Sequence, residues 1–242
     1  MASSFEPNFW LFGYGSLIWK PPPHYDQRVP GFIKGYVRRF WQVYFSDCDK
    51  WQRLIKSSED HRGTLKAPGR VVTLIERCFW DTLNDTHKSD KDDYVWGVAY
   101  HIIPSRVKEV QDYLDIREIN GYSIQYTPFH PADREQPDIR CMVYIGMPDN
   151  PQFLGALDPQ EVALTINESR GPSGENREYL LNLEQALVNL SPQSHDEHIS
   201  DLAKRVRAMP LPDRSISDPL DTFQPIHKMN STEEQEEVEK SV

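Results

Sequence analysis

The run Phe9-Trp10-Leu11-Phe12-Gly13-Tyr14-Gly15-Ser16-Leu17-Ile18-Trp19 constrains the fold more than any other stretch of this chain. Its first four residues are apolar and mostly aromatic, as a buried strand requires. They run straight into two glycines that bracket Tyr14, where a strand pattern breaks. A core strand therefore opens the fold and stops at an irregular loop. Glycine at positions 13 and 15 permits positive φ and close backbone approach. With the polar Tyr14 and Ser16 among them, these residues suit backbone N–H groups turned towards a ligand. A plain tight turn between strands satisfies the same pattern, and the stretch alone leaves both readings open.

After this loop, Pro21-Pro22-Pro23-His24 reads as a polyproline-like connector, ended by the turn signal Arg28-Val29-Pro30-Gly31. Strand-like patterns follow at residues 32–45, 71–75, 94–103, 123–130 and 140–145. Residues 81–93 are polar without periodicity and are expected to form a surface loop. Pro104-Ser105 starts a helix whose buried stripe is Val107, Val110 and Leu114. Asp158-Pro159-Gln160-Glu161 starts another, with Asp158 as N-cap and Pro159 at the first helical position, running to about residue 168. Gly171-Pro172-Ser173-Gly174 interrupts the chain. Amphipathic helices are then expected over 179–190, through Leu180, Leu183, Leu187 and Leu190, and over 196–209, through Ile199, Leu202 and Val206.

Among residues that carry chemistry, Glu118 stands out by position. Asn120 and Gly121 are helix terminators, which places Glu118 in the last turn. There the negative end of the helix dipole disfavours a charged carboxylate by about 0.3–1 kcal/mol. That bias towards taking up a proton is what a base working near neutrality needs. Four residues beyond Leu114, Glu118 leans inward; a surface glutamate paired with an arginine fits the spacing equally well. Glu109, nine residues earlier and so on the opposite side of the helix, reads as structural. Arg38-Arg39-Phe40-Trp41-Gln42 brings two arginines against two large aromatics, either as a core edge or as an anion contact. Asp60-His61-Arg62-Gly63-Thr64 with Pro68-Gly69-Arg70 forms a donor-rich loop able to face a site. Tyr179 reads as core packing before pocket lining.

Composition limits the partners. A net charge of −10 over 242 residues argues against nucleic acid, whose phosphates need a basic surface. No apolar run approaches the roughly 18 residues of a spanning helix, and the first residues lack the pattern of a signal peptide. A cytosolic protein without a membrane partner is the expectation. Cys48, Cys78 and Cys141 are odd in number and far apart, so they read as free thiols rather than a disulfide or zinc framework. Residues 211–242 hold eight acidic residues against three Lys and Arg, half of the net charge, and are expected to form a disordered tail after a single domain over 8–210.

Taken together, Gly13-Tyr14-Gly15-Ser16-Leu17-Ile18-Trp19, Arg38-Arg39-Phe40-Trp41-Gln42, Asp60-His61-Arg62-Gly63-Thr64, Pro68-Gly69-Arg70-Val71-Val72-Thr73-Leu74, Trp96-Gly97-Val98-Ala99-Tyr100, Tyr113-Leu114-Asp115-Ile116-Arg117-Glu118, Tyr144-Ile145-Gly146 and Gly171-Pro172-Ser173-Gly174 resemble the ChaC family of glutathione-specific γ-glutamylcyclotransferases over roughly residues 10–207. The resemblance implies an α+β fold, a γ-glutamylcyclotransferase-like small, mostly antiparallel β-barrel flanked by helices. It implies cleavage of glutathione, the small-molecule substrate, to 5-oxoproline and cysteinylglycine without metal or cofactor. It also implies that Gly13, Tyr14, Gly15, Ser16, Leu17 and Ile18 hold the γ-glutamyl group and that Glu118 is the acid/base. In that chemistry the substrate's own α-amine attacks its γ-amide carbonyl, so the enzyme supplies a base and oriented donors rather than a nucleophile. Donors of the loop would serve either the α-carboxylate or the forming oxyanion. A cyclotransferase for other γ-glutamyl amines and a non-catalytic binder of γ-glutamyl metabolites or of a protein are the alternatives.

The chain departs from the family pattern at one place. Residues 43–56 separate Phe-Trp-Gln from Ser57-Ser58-Glu59-Asp60-His61-Arg62-Gly63, and their removal restores the family spacing. Valine codons begin with GT and a lysine codon can be AAG, so a retained intron is the expectation; a spliced transcript still carrying the segment refutes it.

Overall fold

The computed structural model describes residues 8–44, 62–64, 67–88, 94–117, 122–147, 149–150, 152–171 and 173–213. Contacts divide the chain into residues 1–211 and 212–242. The expected acidic tail lies almost wholly outside the described residues, as does Cys48.

Five strands close into a barrel in the order β1 (Trp10–Gly13), β5 (Tyr94–Ile102), β2 (Tyr25–Lys34), β6 (Tyr122–Pro131), β7 (Ile139–Gly146). Every pairing is antiparallel except the closing one, where β1 and β7 run parallel through Leu11 and Met142. Side chains alternate by the period of two. Trp10, Phe12, Val95, Ala99, Cys141, Val143 and Ile145 form one buried cluster with Phe129, while Leu11, Val98, Tyr100, Ile102, Met142 and Tyr144 belong to a second that includes helical residues. Both faces of these strands are covered, which is why their sequences are nearly continuously apolar.

The covering helices are α2 (Val107–Arg117), α3 (Pro159–Glu168), α4 (Asn176–Leu190) and α5 (Glu197–Ala208). Their expected stripes are buried: Val107, Val110 and Leu114; Leu180, Leu183 and Leu187; Ile199, Leu202 and Val206. Asp158 caps α3, accepting from the amides of Gln160 and Glu161, and Asp196 caps α5 through the Ile199 amide. Helix α4 begins at Asn176, three residues before the expected start. A short hairpin, β8 (Arg170–Gly171) and β9 (Gly174–Glu175), precedes it and turns at Gly174 with φ +106°.

The second layer is the pair β3 (Tyr36–Tyr44) and β4 (Gly69–Glu76), bulged between Arg39 and Gln42. Val43 and Tyr44, the first residues of the intervening segment, continue β3 opposite Arg70 and Gly69; residues 45–61 lie outside the described residues.

Two readings of the sequence need correction. Arg28 to Gly31 is no turn: all four residues pair with β5, and Pro30 is tolerated because its carbonyl, and hence its nitrogen, faces Ala132 on the other side. The chain turns instead at Gly35, where φ is +82°. Residues 81–88, the described part of the expected surface loop, are mostly exposed but not wholly a surface feature. They follow a helical turn, α1 (Arg77–Trp80), and carry the buried Asp85 inward. Its carboxylate takes the Arg39 guanidinium at 2.6 Å, the Trp80 indole at 2.8 Å and the His87 amide at 3.0 Å. Burial alone would raise the Asp85 carboxyl, but Arg39 and these hydrogen bonds outweigh it and hold the carboxyl below its ordinary value. Arg38 is equally buried, donating to the Trp96 carbonyl and lying 3.7 Å from Asp196. Arg39 is therefore a fold residue rather than an anion contact, while Arg38 keeps Nε and Nη1 without a hydrogen bond among the described residues.

Candidate active site

Because β1 and β7 run parallel, Gly13 and Gly146 end on the same rim of the barrel. Strand β6 starts on that rim too, with Tyr122 opposite Gly146. Helix α2 ends at Arg117, so Glu118 lies in the connection between α2 and β6, outside the described residues. It sits four residues before Tyr122, within about 13 Å of extended chain from the rim that carries the glycine loop.

The loop is a tight 3-10 turn, Ser16–Ile18, closed by the Ile18 amide on the Gly15 carbonyl at 3.0 Å. The glycines are needed here for room rather than for handedness. Neither Gly13 nor Gly15 has positive φ, and φ at Gly15 is −121°. A Cβ on Gly13 would stand 2.6 Å from Cβ of Leu17; one on Gly15 would stand 3.1 Å from both the Tyr179 hydroxyl and Cγ2 of Val72. Beneath the turn, Tyr100 donates its hydroxyl to the Leu17 carbonyl at 2.6 Å, and Arg28 reaches the Ile18 carbonyl at 3.4 Å.

Against the loop stands the first turn of α4. Tyr179 is buried, edge-on to Trp19 and to Phe40, so the ring packs in the core as expected while its hydroxyl meets Gly15. Asn176 joins α4 to β4 by a reciprocal pair: its Oδ1 accepts from the Arg70 amide and its Nδ2 donates to the Arg70 carbonyl, both at 2.7 Å. Arg62 lies over the Tyr179 ring at 5.9 Å and donates Nη1 to the Glu175 carbonyl at 3.2 Å. Burial lowers the Arg62 pKa, partly offset by Tyr179 and Glu178. Gly63 and Gly69 let its loop fold back, since a Cβ on Gly69 would fall 2.3 Å from the Arg62 carbonyl. Arg62 and the glycine loop thus pack against the same side chain, Tyr179.

Three buried donors around this junction, Nε of Arg62, Nε of Arg70 and Nε1 of Trp19, make no hydrogen bond among the described residues. This junction is donor-rich, which suits a ligand with carboxylates. Glu109 stands apart, exposed and paired with His24 and Arg106. Among the described residues no group of His, Cys, Asp and Glu is placed to hold a metal ion. Sequence reasoning missed Arg28, taken for part of a turn, and Tyr100, which entered only as part of the strand-like stretch 94–103 and of the family motif Trp96 to Tyr100. No pattern in the chain announces a hydroxyl that meets its acceptor 83 residues away.

A closed, mixed barrel flanked by helices, with a glycine-rich loop at the end of its first strand, defines the γ-glutamylcyclotransferase-like class of enzymes. Residues 9–209 match the family described as ChaC-like protein, and the chain belongs to that family. It is 43% identical over 204 residues to the glutathione-specific gamma-glutamylcyclotransferase of Schizosaccharomyces pombe, covering 84% of this chain and 94% of that one. It is 36% identical over 202 residues to glutathione-specific gamma-glutamylcyclotransferase 1 of Homo sapiens, covering 83% and 79%. Among solved structures, the selenomethionine-labelled gamma-glutamyl cyclotransferase specific to glutathione from yeast superposes with a TM-score of 0.69 at 35% identity, covering 84% and 96%.

Proposed function

We propose that this chain degrades glutathione, releasing 5-oxoproline and cysteinylglycine, with Glu118 as acid/base and Gly13 to Ile18 as the γ-glutamyl cradle. The observation that carries the reading is the strand register: parallel β1 and β7 bring the glycine loop to the rim from which the chain leads back to Glu118. Glu118 takes a proton from the substrate ammonium, and the freed amine attacks the γ-carbonyl to close a five-membered ring. As the tetrahedral adduct collapses, the carbon–nitrogen bond to cysteine breaks and Glu118 returns a proton to the departing nitrogen. A second proton passes from the ring nitrogen to the new amine through solvent. Proximity is built into the substrate, so the protein's share is proton transfer, worth roughly 10²–10⁴ in rate, and donors for the oxyanion or α-carboxylate. The domain spans residues 8–210 and works in the cytosol, without a nucleic-acid or membrane partner.

The test is 5-oxoproline release from glutathione and from γ-glutamyl-alanine by the full chain and by Glu118→Gln. Release from glutathione alone, lost in the variant while glutathione still binds, is expected. Equal turnover of γ-glutamyl-alanine would move the reading to a broader cyclotransferase, and silence from the full chain would move it to a binder.

A further inference from the structure

The glycine loop is wired to a cation on the far side of the turn. The Arg28 guanidinium donates to the Ile18 carbonyl at 3.4 Å, and its charge bears on the neighbouring Tyr100 phenol. The phenol donates to the Leu17 carbonyl at 2.6 Å. The amide of that same peptide group belongs to Ile18 and donates to the Gly15 carbonyl at 3.0 Å. The amide that completes the Gly15 peptide group belongs to Ser16, inside the proposed cradle. The phenol and two peptide groups thus stand head to tail, each peptide group accepting on one side and donating on the other. Arg28 feeds the same turn through the Ile18 carbonyl, whose peptide amide, that of Trp19, donates to the Ser16 carbonyl at 3.1 Å. In such a chain every bond polarises the next, by roughly 10–30% per bond, and the direction here increases the positive character of the Ser16 N–H.

We propose that Arg28 and Tyr100 are a positioning pair for the reaction, holding the 3-10 turn in place and strengthening its amides as donors to an anionic group of the γ-glutamyl substrate. The inference rests on the loop being the cradle. Three features support it. Tyr100 is fully buried and its ring is held edge-on by Tyr25 at 5.1 Å, so a phenylalanine would fill the same space and the hydroxyl is present for its hydrogen bonds. Burial pushes the phenol up to about 12, partly offset by Arg28, so it stays a donor throughout the physiological range. Arg28 itself is exposed, so its charge sits on the chain without the cost of burying it.

The test uses the full chain with Tyr100→Phe, Arg28→Met and Arg28→Lys, reading kcat and KM for 5-oxoproline release, the thermal midpoint, and the Ser16 amide proton shift in ¹⁵N spectra. Tyr100→Phe is expected to lower kcat/KM about tenfold with the fold retained, and to move the Ser16 amide upfield. Arg28→Met is expected to lower it several-fold, with Arg28→Lys recovering part of the loss because it restores the charge. Should Tyr100→Phe fail to fold, the Arg28 variants at their exposed site decide the matter. Wild-type kcat and KM in the folded variants, or a loss that only tracks the fraction unfolded, would overturn the pair's role. If the unaltered chain turns over no glutathione, the proposed function fails instead, and the Ser16 amide shift alone still decides whether the wiring exists.

Discussion

The glycine loop and the histidine cluster under β3 are both built from buried polar groups, yet they finish their hydrogen bonding differently. Beneath β3, the Phe40 amide donates to Nε2 of His198 at 3.0 Å. His198 must then carry its proton on Nδ1, which meets Nδ1 of His87 at 3.3 Å, and this leaves Nε2 of His87 to donate to Asp201 at 3.0 Å. Asp201 is also held by Arg205, and Asp85 by Arg39 and Trp80. Every ring nitrogen of His198 and His87 is thus engaged within the protein. Around Tyr179, by contrast, Arg62, Arg70 and Trp19 each keep a buried donor without a protein acceptor among the described residues. A saturated cluster has nothing left for a ligand and serves to fix β3 against α5. A cluster with donors to spare suits a ligand that accepts from them.

The contrast breaks most visibly at Asp85. Asp85→Ala strands the Arg39 guanidinium in the interior, and loss of one partner of a buried pair costs about 3–5 kcal/mol. Urea unfolding should show that loss while activity per folded molecule stays at the unaltered value. A variant that keeps its stability, or one that stays folded with kcat reduced tenfold or more, would mean the two clusters are not separate in function.

Gly13→Ala attacks the other side. The added methyl meets Leu17 at 2.6 Å and can be accommodated only by shifting the turn. Misplacing oxyanion-type donors is expected to cost about 10²–10³ in kcat/KM, a larger fraction of function than of stability. Unchanged kinetics would remove the loop from the site.

Legibility in the sequence followed the range of the interaction. The apolar run of β5 and the stripes of α2, α4 and α5 are local patterns, and the structure keeps them. The strand Phe9 to Phe12 and the break at Gly13 were visible for the same reason. The purpose of the glycines was not, because the residues they make room for, Tyr179 and Val72, approach from elsewhere in the chain. Pro30 looked like a turn since a missing N–H is harmless only on the unpaired side of a strand, which register alone decides. Asp85 looked like loop because its reason for burial, Arg39, is 46 residues away. The family resemblance supplied Glu118 and the cradle, whereas the Arg28 and Tyr100 pair needed coordinates.

Arg62→Lys sharpens the contrast by removing a spare donor while keeping the charge. Lysine has no flat guanidinium to lie over Tyr179 and no Nε in that position. KM for glutathione should rise about tenfold, with kcat and the thermal midpoint nearly unchanged. A fall in kcat alone would place Arg62 against the reacting atoms rather than at the edge of the pocket.

The smallest effect belongs to the saturated cluster and appears only with pH. Burial first, then the charges of Arg39, His87 and Arg38, hold the His198 pKa well below 6.5. The unfolded chain therefore binds a proton at His198 that the folded chain refuses. Where the unfolded state binds more protons, stability rises with pH, so this contribution is complete above about 6.5 and is lost progressively as the pH falls towards the folded value. Asp85 and Asp201, both held below their ordinary values, add losses of the same sign only below about 4. Urea midpoints measured between pH 8 and 5 should decline on the acid side, and His198→Gln, whose amide oxygen can still accept from Phe40, should flatten that decline. An identical slope in the variant would show that the decline arises at other groups, because a protonated His198 has no lone pair left to accept from the Phe40 amide and could not take up its proton without losing that bond.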